Sequence, residues 1–74
     1  MFDEKDIEML KAEAHAALEK WHATEQLLNE VADPALIDFA IYDLEAAKRR
    51  YTYLLGQIKA AQEQIKLESE KEEG

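Results

Sequence analysis

The chain has 74 residues and a net charge of −8, with 35% charged and 47% hydrophobic residues. This length allows one domain with a small core. The acidic balance argues against a nucleic-acid binder with a broad basic surface, and the absence of cysteine excludes disulfides and thiolate metal sites. The opening MFDEKDIEML does not resemble a secretion signal, and no apolar run reaches the ~20 residues of a membrane span. We therefore expect a cytoplasmic protein without a membrane segment.

Helix one is predicted from about residue 3 to about residue 32. Asp3 is a suitable N-cap, and Asp6 stands at the third helical position. Apolar side chains then recur at alternating spacings of three and four, the heptad pattern of a helix with one packed stripe. The stripe consists of Ile7, Leu10, Ala14, Ala17, Trp21, Thr24, Leu28 and Val31.

A turn is predicted at residues 33–34, where the stripe is interrupted by Asp33-Pro34. Proline favours the first position of a helix and disfavours helical geometry in the residue before it, so Asp33 can cap a second helix. Helix two is predicted from about residue 34 to about residue 68, followed by a frayed acidic tail to residue 74. Its stripe starts in a new phase: Ile37, Ala40, Leu44, Ala47, Tyr51, Leu54, Ile58, Ala61 and Ile65.

The two stripes complement each other in size when the chain is folded back at Pro34. Positions whose numbers add up to 68 then face each other, and large side chains meet small ones in most layers. Trp21 faces Ala47, for example, and Tyr51 faces Ala17. The sequence therefore predicts an all-α fold in which residues 1–74 form one antiparallel, coiled-coil-like helical hairpin. We call the paired stripes the seam.

A second set of apolar residues is not used by the seam. These residues occupy the c and g heptad positions, which lie on one side of an antiparallel pair and which we call the outer face: Met9, Ala16, Ala23, Leu27, Leu36, Phe39, Ala46, Tyr53 and Ala60. Such a surface usually contacts a partner, and a second copy would give a four-helix bundle. We therefore predict a non-enzymatic interaction module that forms a homodimer; a binder of another protein and a monomer with an exposed apolar patch are the alternatives. The predicted contact residues are Met9, Leu27, Leu36, Phe39, Tyr42 and Tyr53.

Two alternatives involve nucleic acid. Lys48, Arg49 and Arg50 form the one basic cluster and could contact phosphates beside Tyr51 and Tyr53. Conversely, the acidic residues of helix one could occupy a basic site of a nucleic-acid-binding protein. Neither alternative is required, because Glu45 can pair with Lys48 or Arg49 within the helix and acidic residues also promote solubility.

Metal and catalytic chemistry receive little support from the sequence. His15, Glu19 and His22 share one helical face, and Glu-x-x-His is a spacing that di-iron bundles use. Helix two contains no histidine, and this face points away from the seam, so we interpret the three residues as surface residues. The chain has no glycine-rich phosphate loop and one serine, Ser69, in the acidic tail. We predict no catalytic residue, no metal and no cofactor.

The stretch DPALIDFAIYDLEAAKRRYTYLL at residues 33–55 resembles the YaaL-like family of small proteins from Gram-positive bacteria. The matching features combine the turn, seam and outer-face residues, and cover about a third of the chain. The family is a domain of unknown function whose members are often encoded near recombination-repair genes, so the resemblance implies no activity or ligand. Gly56 departs from the resemblance, which implies a longer polar residue there, and this departure concerns only whether helix two is straight at that point.

Overall fold

The computed structural model describes the backbone of residues 2–73 and the side chains of residues 2–71. Two helices, α1 (Glu4–Glu30) and α2 (Pro34–Glu73), pack against each other along their lengths. The predicted helical hairpin is therefore confirmed. Its extents of 61 × 15 × 14 Å describe a rod rather than a globule. Neither helix, over the described residues, is long and apolar enough to cross a membrane.

The start of α1 is fixed by reciprocal hydrogen bonds between two aspartates. The Asp6 amide donates to Asp3 Oδ1 over 2.9 Å, and the Asp3 amide donates to Asp6 Oδ2 over 3.0 Å. This capping box satisfies two amides that have no partner within the helix. The predicted N-cap is thus confirmed.

The connection between the helices comprises residues 31–33, not the predicted 33–34. Helix α1 ends at Glu30, before the predicted residue 32, because Val31 adopts an extended conformation while its amide still donates to the Leu27 carbonyl over 3.1 Å. Asp33 then caps α2 as predicted, since the Ala35 amide donates to Asp33 Oδ1 over 2.8 Å. Pro34 is consequently the first residue of α2 and not part of the turn.

Helix α2 also ends later than predicted. It continues to Glu73, so residues 69–73 are helical and the predicted end near residue 68 is wrong; Gly74 lies outside the described residues. The sequence KLESEKEE contains mostly residues with a favourable helix propensity, and no glycine or proline interrupts it. Lys71 in the last turn is favourable because the C-terminal end of a helix carries partial negative charge.

All seventeen residues of the predicted seam are buried or half-buried. The fully buried residues of the described chain all belong to it: Ile7, Ala14, Ala17, Thr24, Ala40, Ala47, Leu54 and Ala61. Small side chains dominate this set because two helices cover a large side chain from one direction only. The centre of the seam packs Ala14, Ala17 and Leu54 against Leu10, Tyr51 and Ile58, in the predicted layers.

Candidate interaction surface

The outer face of the hairpin exposes several large apolar side chains. Nine large hydrophobic residues are exposed in the described chain, and six of them occupy c or g positions of the heptad pattern: Met9, Leu27, Leu36, Phe39, Tyr53 and Leu67. Phe39 is 68% exposed, and Met9 and Tyr53 are each 65% exposed. Randomly placed residues would be spread around both helices. The concentration of these six residues on one face is therefore the main feature of the surface.

A groove at mid-length shows that both helices contribute to the outer face. Ala16 and Lys20 of α1 line it together with Asp43, Ala46 and Arg50 of α2. All five residues occupy c or g positions. The antiparallel pairing therefore places the c and g sides of both helices on one side of the molecule, as the seam register predicted.

Leu67 belongs to this surface but was absent from the predicted contact residues. It is 59% exposed and lies seven residues after Ala60, at the next c position. The heptad spacing contained this signal, but the prediction ended helix two just beyond Leu67 and treated the following residues as an acidic tail. With α2 continuing to Glu73, Leu67 extends the outer face toward the end that carries the N-terminus.

Tyr42 lies beside the outer face rather than at its centre. It occupies an f position and is the most exposed large hydrophobic residue described, at 75%. On an α-helix, residues three and four positions apart are surface neighbours, so Tyr42 adjoins Phe39 and Ala46. A partner that covers these two residues can also contact the Tyr42 ring.

The opposite edge of the hairpin is less apolar. Ile41 and Leu55 are 46% and 44% exposed, and Leu18 is half-buried beside charged residues. These values are lower than those of Met9 and Phe39 on the outer face. The two sides are thus unequal, and the outer face offers more apolar surface to a partner.

The three predicted nucleic-acid contacts point to different sides of α2. The Lys48 ammonium lies over the Trp21 ring at 5.4 Å from its centroid, so Lys48 covers the seam. Arg50 lines the groove on the outer face, whereas Arg49 is exposed at an f position between these two sides. Consecutive helical residues diverge by about 100°. The cluster in the sequence therefore does not form one continuous basic surface in the structure.

His15, Glu19 and His22 do not converge on one point. His15 Nε2 contacts Glu19 Oε1 at 2.9 Å, whereas His22 Nδ1 lies 3.8 Å from Glu25 Oε1. The two pairs are exposed to solvent, where such contacts contribute little to stability. No group of three or more potential metal-binding side chains is found within the described part of the chain.

Lys20 and Arg50 bring two positive charges to the same level of the outer face. Both line the groove, and Asp43 lines it as well. Over residues 2–71, contacts of 4.0 Å or less between acidic and basic side chains involve the two histidines and neither Lys20 nor Arg50. These two cations can therefore pair with an external carboxylate without first breaking an ion pair.

Residues 2–68 match the model of a family described as a protein of unknown function, DUF2508. The chain belongs to this family. The DUF2508 match includes all of α1, the connection and the whole seam, together with every outer-face residue named above. The last five residues of α2, 69–73, lie beyond it. No curated protein and no solved structure matches the chain significantly.

Proposed function

We propose that this DUF2508 protein is a non-enzymatic interaction module that forms a homodimer through its outer face. Two hairpins would pack face to face as a four-helix bundle. The observation that carries the proposal is the concentration of Met9, Phe39, Tyr53 and Leu67 on one side of the rod, each more than half exposed. Covering a large apolar side chain contributes about 1.5–3 kcal/mol.

The incomplete burial of the seam also supports a partner. No side chain of the described residues is both large and less than 2% exposed, and Trp21 and Tyr51 remain half-buried. A domain of this size rarely obtains sufficient stability from one small core. A second hairpin on the outer face would add a third and a fourth helix beside this two-helix core.

The size of the outer face is adequate for a stable dimer. A rod of 61 × 15 Å presents a projected area of roughly 900 Å² on one side, and standard interfaces bury about 800 Å² per partner. Eight of the nine c positions in α1 and α2 are apolar, with Glu30 as the exception. This composition matches the apolar centre of an interface better than that of a solvated helix face.

Sedimentation or light scattering of the wild-type protein tests the proposal. We expect a mass of about 17 kDa, twice the 8.5 kDa of one chain, at ~100 μM protein. Phe39→Glu places a charge in the interface and should raise the dissociation constant at least about tenfold. Leu55→Glu is the matched control on the opposite edge and should leave the mass unchanged. A monomeric wild-type protein at ~100 μM would refute the dimer.

A different protein partner is the second candidate, and Tyr42 favours it. This ring is 75% exposed and adjoins Phe39, and aromatic residues contribute much of the binding energy of many interfaces. Purification from the native host with wild-type and Tyr42→Ala bait distinguishes the two. A partner that the wild type retains and Tyr42→Ala loses, while both remain dimeric, would assign Tyr42 to heterologous binding.

Neither the family resemblance of residues 33–55 nor the basic residues 48–50 add an activity to this proposal. The resemblance of residues 33–55 to the YaaL-like family concerns the same hairpin and outer face and implies no activity or ligand of its own. Contact with nucleic acid would have to use Lys48, Arg49 and Arg50 from different sides of α2. Titration with DNA at two salt concentrations tests that alternative, since phosphate contacts make binding strongly salt-dependent.

A further inference from the structure

The outer face has an internal symmetry that bears on how two copies fit together. We propose, on the basis of the dimer proposed above, that the second copy binds antiparallel to the first, with the two-fold axis passing near Ala16 and Tyr53. In this arrangement α1 packs on α1 of the partner, and α2 packs on α2 of the partner. Each contact is then made twice, as a two-fold interface requires.

The side chains of α1 are complementary about Ala16. Met9 and Ala23 lie seven residues before and after it, so the exposed Met9 meets the small side chain of Ala23 in the partner subunit. Glu13 and Lys20 also lie on either side of this centre. The two-fold axis therefore brings each Lys20 ammonium opposite a Glu13 carboxylate of the partner subunit.

The side chains of α2 are complementary about Tyr53. Phe39 and Leu67 lie fourteen residues before and after it, so two exposed large apolar residues from opposite ends of α2 meet across the interface. Ala46 and Ala60 lie seven residues to either side and permit close approach of the helices. The packing of residues 14–17 against 51–54 in the seam places Ala16 and Tyr53 at the same level, so one axis serves both helices.

The same axis gives the largest possible overlap. Ala16 lies within one residue of the middle of α1 (Glu4–Glu30), and Tyr53 lies at the middle of α2 (Pro34–Glu73). A copy related by this axis covers the outer face from Met9 and Leu67 at one end to Phe39 at the other. An antiparallel dimer centred on Ala23 and Ala46 would pair Asp43 with Arg50 of the partner subunit, but would leave Met9 and Leu67 uncovered.

Charge decides between the antiparallel and the parallel orientation. In a face-to-face parallel dimer, α1 packs on α2 of the partner at the same level. Lys20 would then face Arg50 of the partner subunit, and because Lys20, Arg50 and Asp43 share one groove, four positive charges would meet with only two Asp43 carboxylates beside them. Like charges opposed across an interface disfavour the complex. The antiparallel arrangement replaces this repulsion with two Lys20–Glu13 pairs.

Single cysteines report the register directly, because the natural chain has none. Ala16→Cys and Ala23→Cys are matched variants, since both residues are exposed c positions on α1. We expect a short bis-maleimide crosslinker to join Ala16→Cys chains at least about tenfold faster than Ala23→Cys chains. The thiols at position 16 lie near the two-fold axis. The thiols at position 23 lie seven residues away from it in opposite directions, so they are about 20 Å apart at 1.5 Å per residue.

Charge exchange tests the orientation independently. Lys20→Glu and Glu13→Lys should each raise the dissociation constant at least about fivefold, and the double variant should restore it. Lys11→Glu is the control for Lys20→Glu, because it makes the same change in net charge on α1 but away from the outer face. Its effect on the dissociation constant is the baseline. In a parallel dimer, Lys20→Glu would instead lower the dissociation constant, because the new carboxylate would face Arg50 of the partner subunit.

The outcomes separate this inference from the proposed function. A monomeric wild-type protein refutes the dimer itself. A dimer in which Ala23→Cys crosslinks faster than Ala16→Cys, or in which neither crosslinks, refutes the proposed register. A dimer that Lys20→Glu strengthens refutes the antiparallel orientation. Far-ultraviolet circular dichroism establishes that each variant remains helical, and Ala16 and Ala23 are both exposed in the hairpin, so their substitution leaves the seam intact.

Discussion

Trp21 illustrates how a two-helix seam accommodates a side chain that is too large for it. The indole remains half-buried and packs edge-on against Tyr51, with ring centroids 6.0 Å apart. The Lys48 ammonium lies 5.4 Å from the centre of the Trp21 ring on the solvent side. Ala47, which the seam register places opposite Trp21, is itself buried, at 6% exposure. The seam register thus predicts that facing residues compensate each other in size.

Exchanging the sizes of Trp21 and Ala47 tests this rule. Trp21→Ala removes packed surface and Ala47→Trp overfills the seam, so each should lower the free energy of unfolding by about 1–3 kcal/mol. The double variant should recover at least about 0.5 kcal/mol relative to the sum of the two effects, because facing residues are coupled. Urea unfolding at fixed protein concentration measures all three variants.

The control pairs Trp21→Ala with a tryptophan at Ala12, an exposed position of α1 that does not contact α2 across the seam. The effects of these two substitutions should be additive, because distant sites act independently. An equally additive result for the exchange at Trp21 and Ala47 would show that the two residues do not share a layer.

At the scale of the elements, α2 is one helix because nothing within it interrupts the backbone. Its 40 residues would span about 60 Å as a straight helix, and the long dimension of the molecule is 61 Å. Gly56 therefore does not bend it appreciably. Apart from its own and the adjacent helical backbone, a Cβ atom at Gly56 would have no neighbour within 4 Å, and no glycine of the described chain has a positive φ.

Gly56→Ala should therefore stabilise the protein. Alanine has the higher helix propensity and reduces the conformational entropy of the unfolded chain, so the free energy of unfolding should rise by about 0.5–1 kcal/mol. Thermal and urea unfolding measure the change. The reverse substitution at an exposed helical alanine, Ala12→Gly, should lower stability by a similar amount. A loss of stability in Gly56→Ala would mean that the position is in contact with a partner.

At the scale of the whole molecule, the hairpin is a rod with a Cα radius of gyration of 17.3 Å. Two rods that overlap completely become thicker without becoming longer. If the centres of the two hairpins are ~10 Å apart, the usual spacing of packed helices, the radius of gyration of the dimer should be only about 18 Å. An end-to-end dimer of the same mass would be about twice as long.

Small-angle X-ray scattering distinguishes these shapes. We expect the wild-type dimer to retain a maximum dimension close to the length of one hairpin, and Phe39→Glu to show a similar length with half the mass. A maximum dimension near twice that length would contradict association through the outer face, even if the mass is that of a dimer. The measurement is independent of crosslinking and of charge substitutions.

The sequence by itself determined the hairpin. Two heptad stripes in different phases, separated by Asp33-Pro34, allow one antiparallel pairing in which Trp21 meets Ala47, and the capping residues Asp3 and Asp33 are local signals. The exact helix ends were less predictable, because the helical and non-helical conformations of terminal residues differ little in free energy. Helix α1 ends at Glu30, two residues before the predicted end, and the acidic segment after Glu68 remains helical.

Tertiary structure decided which residues share a surface. Lys48, Arg49 and Arg50 are adjacent in the sequence but point to three sides of α2, whereas Lys20 and Arg50 are thirty residues apart and line one groove. The physical reason is that helical rotation separates neighbours while antiparallel pairing joins distant positions. Helical rotation and antiparallel pairing together produce the outer face. It includes Leu67 because α2 continues to Glu73.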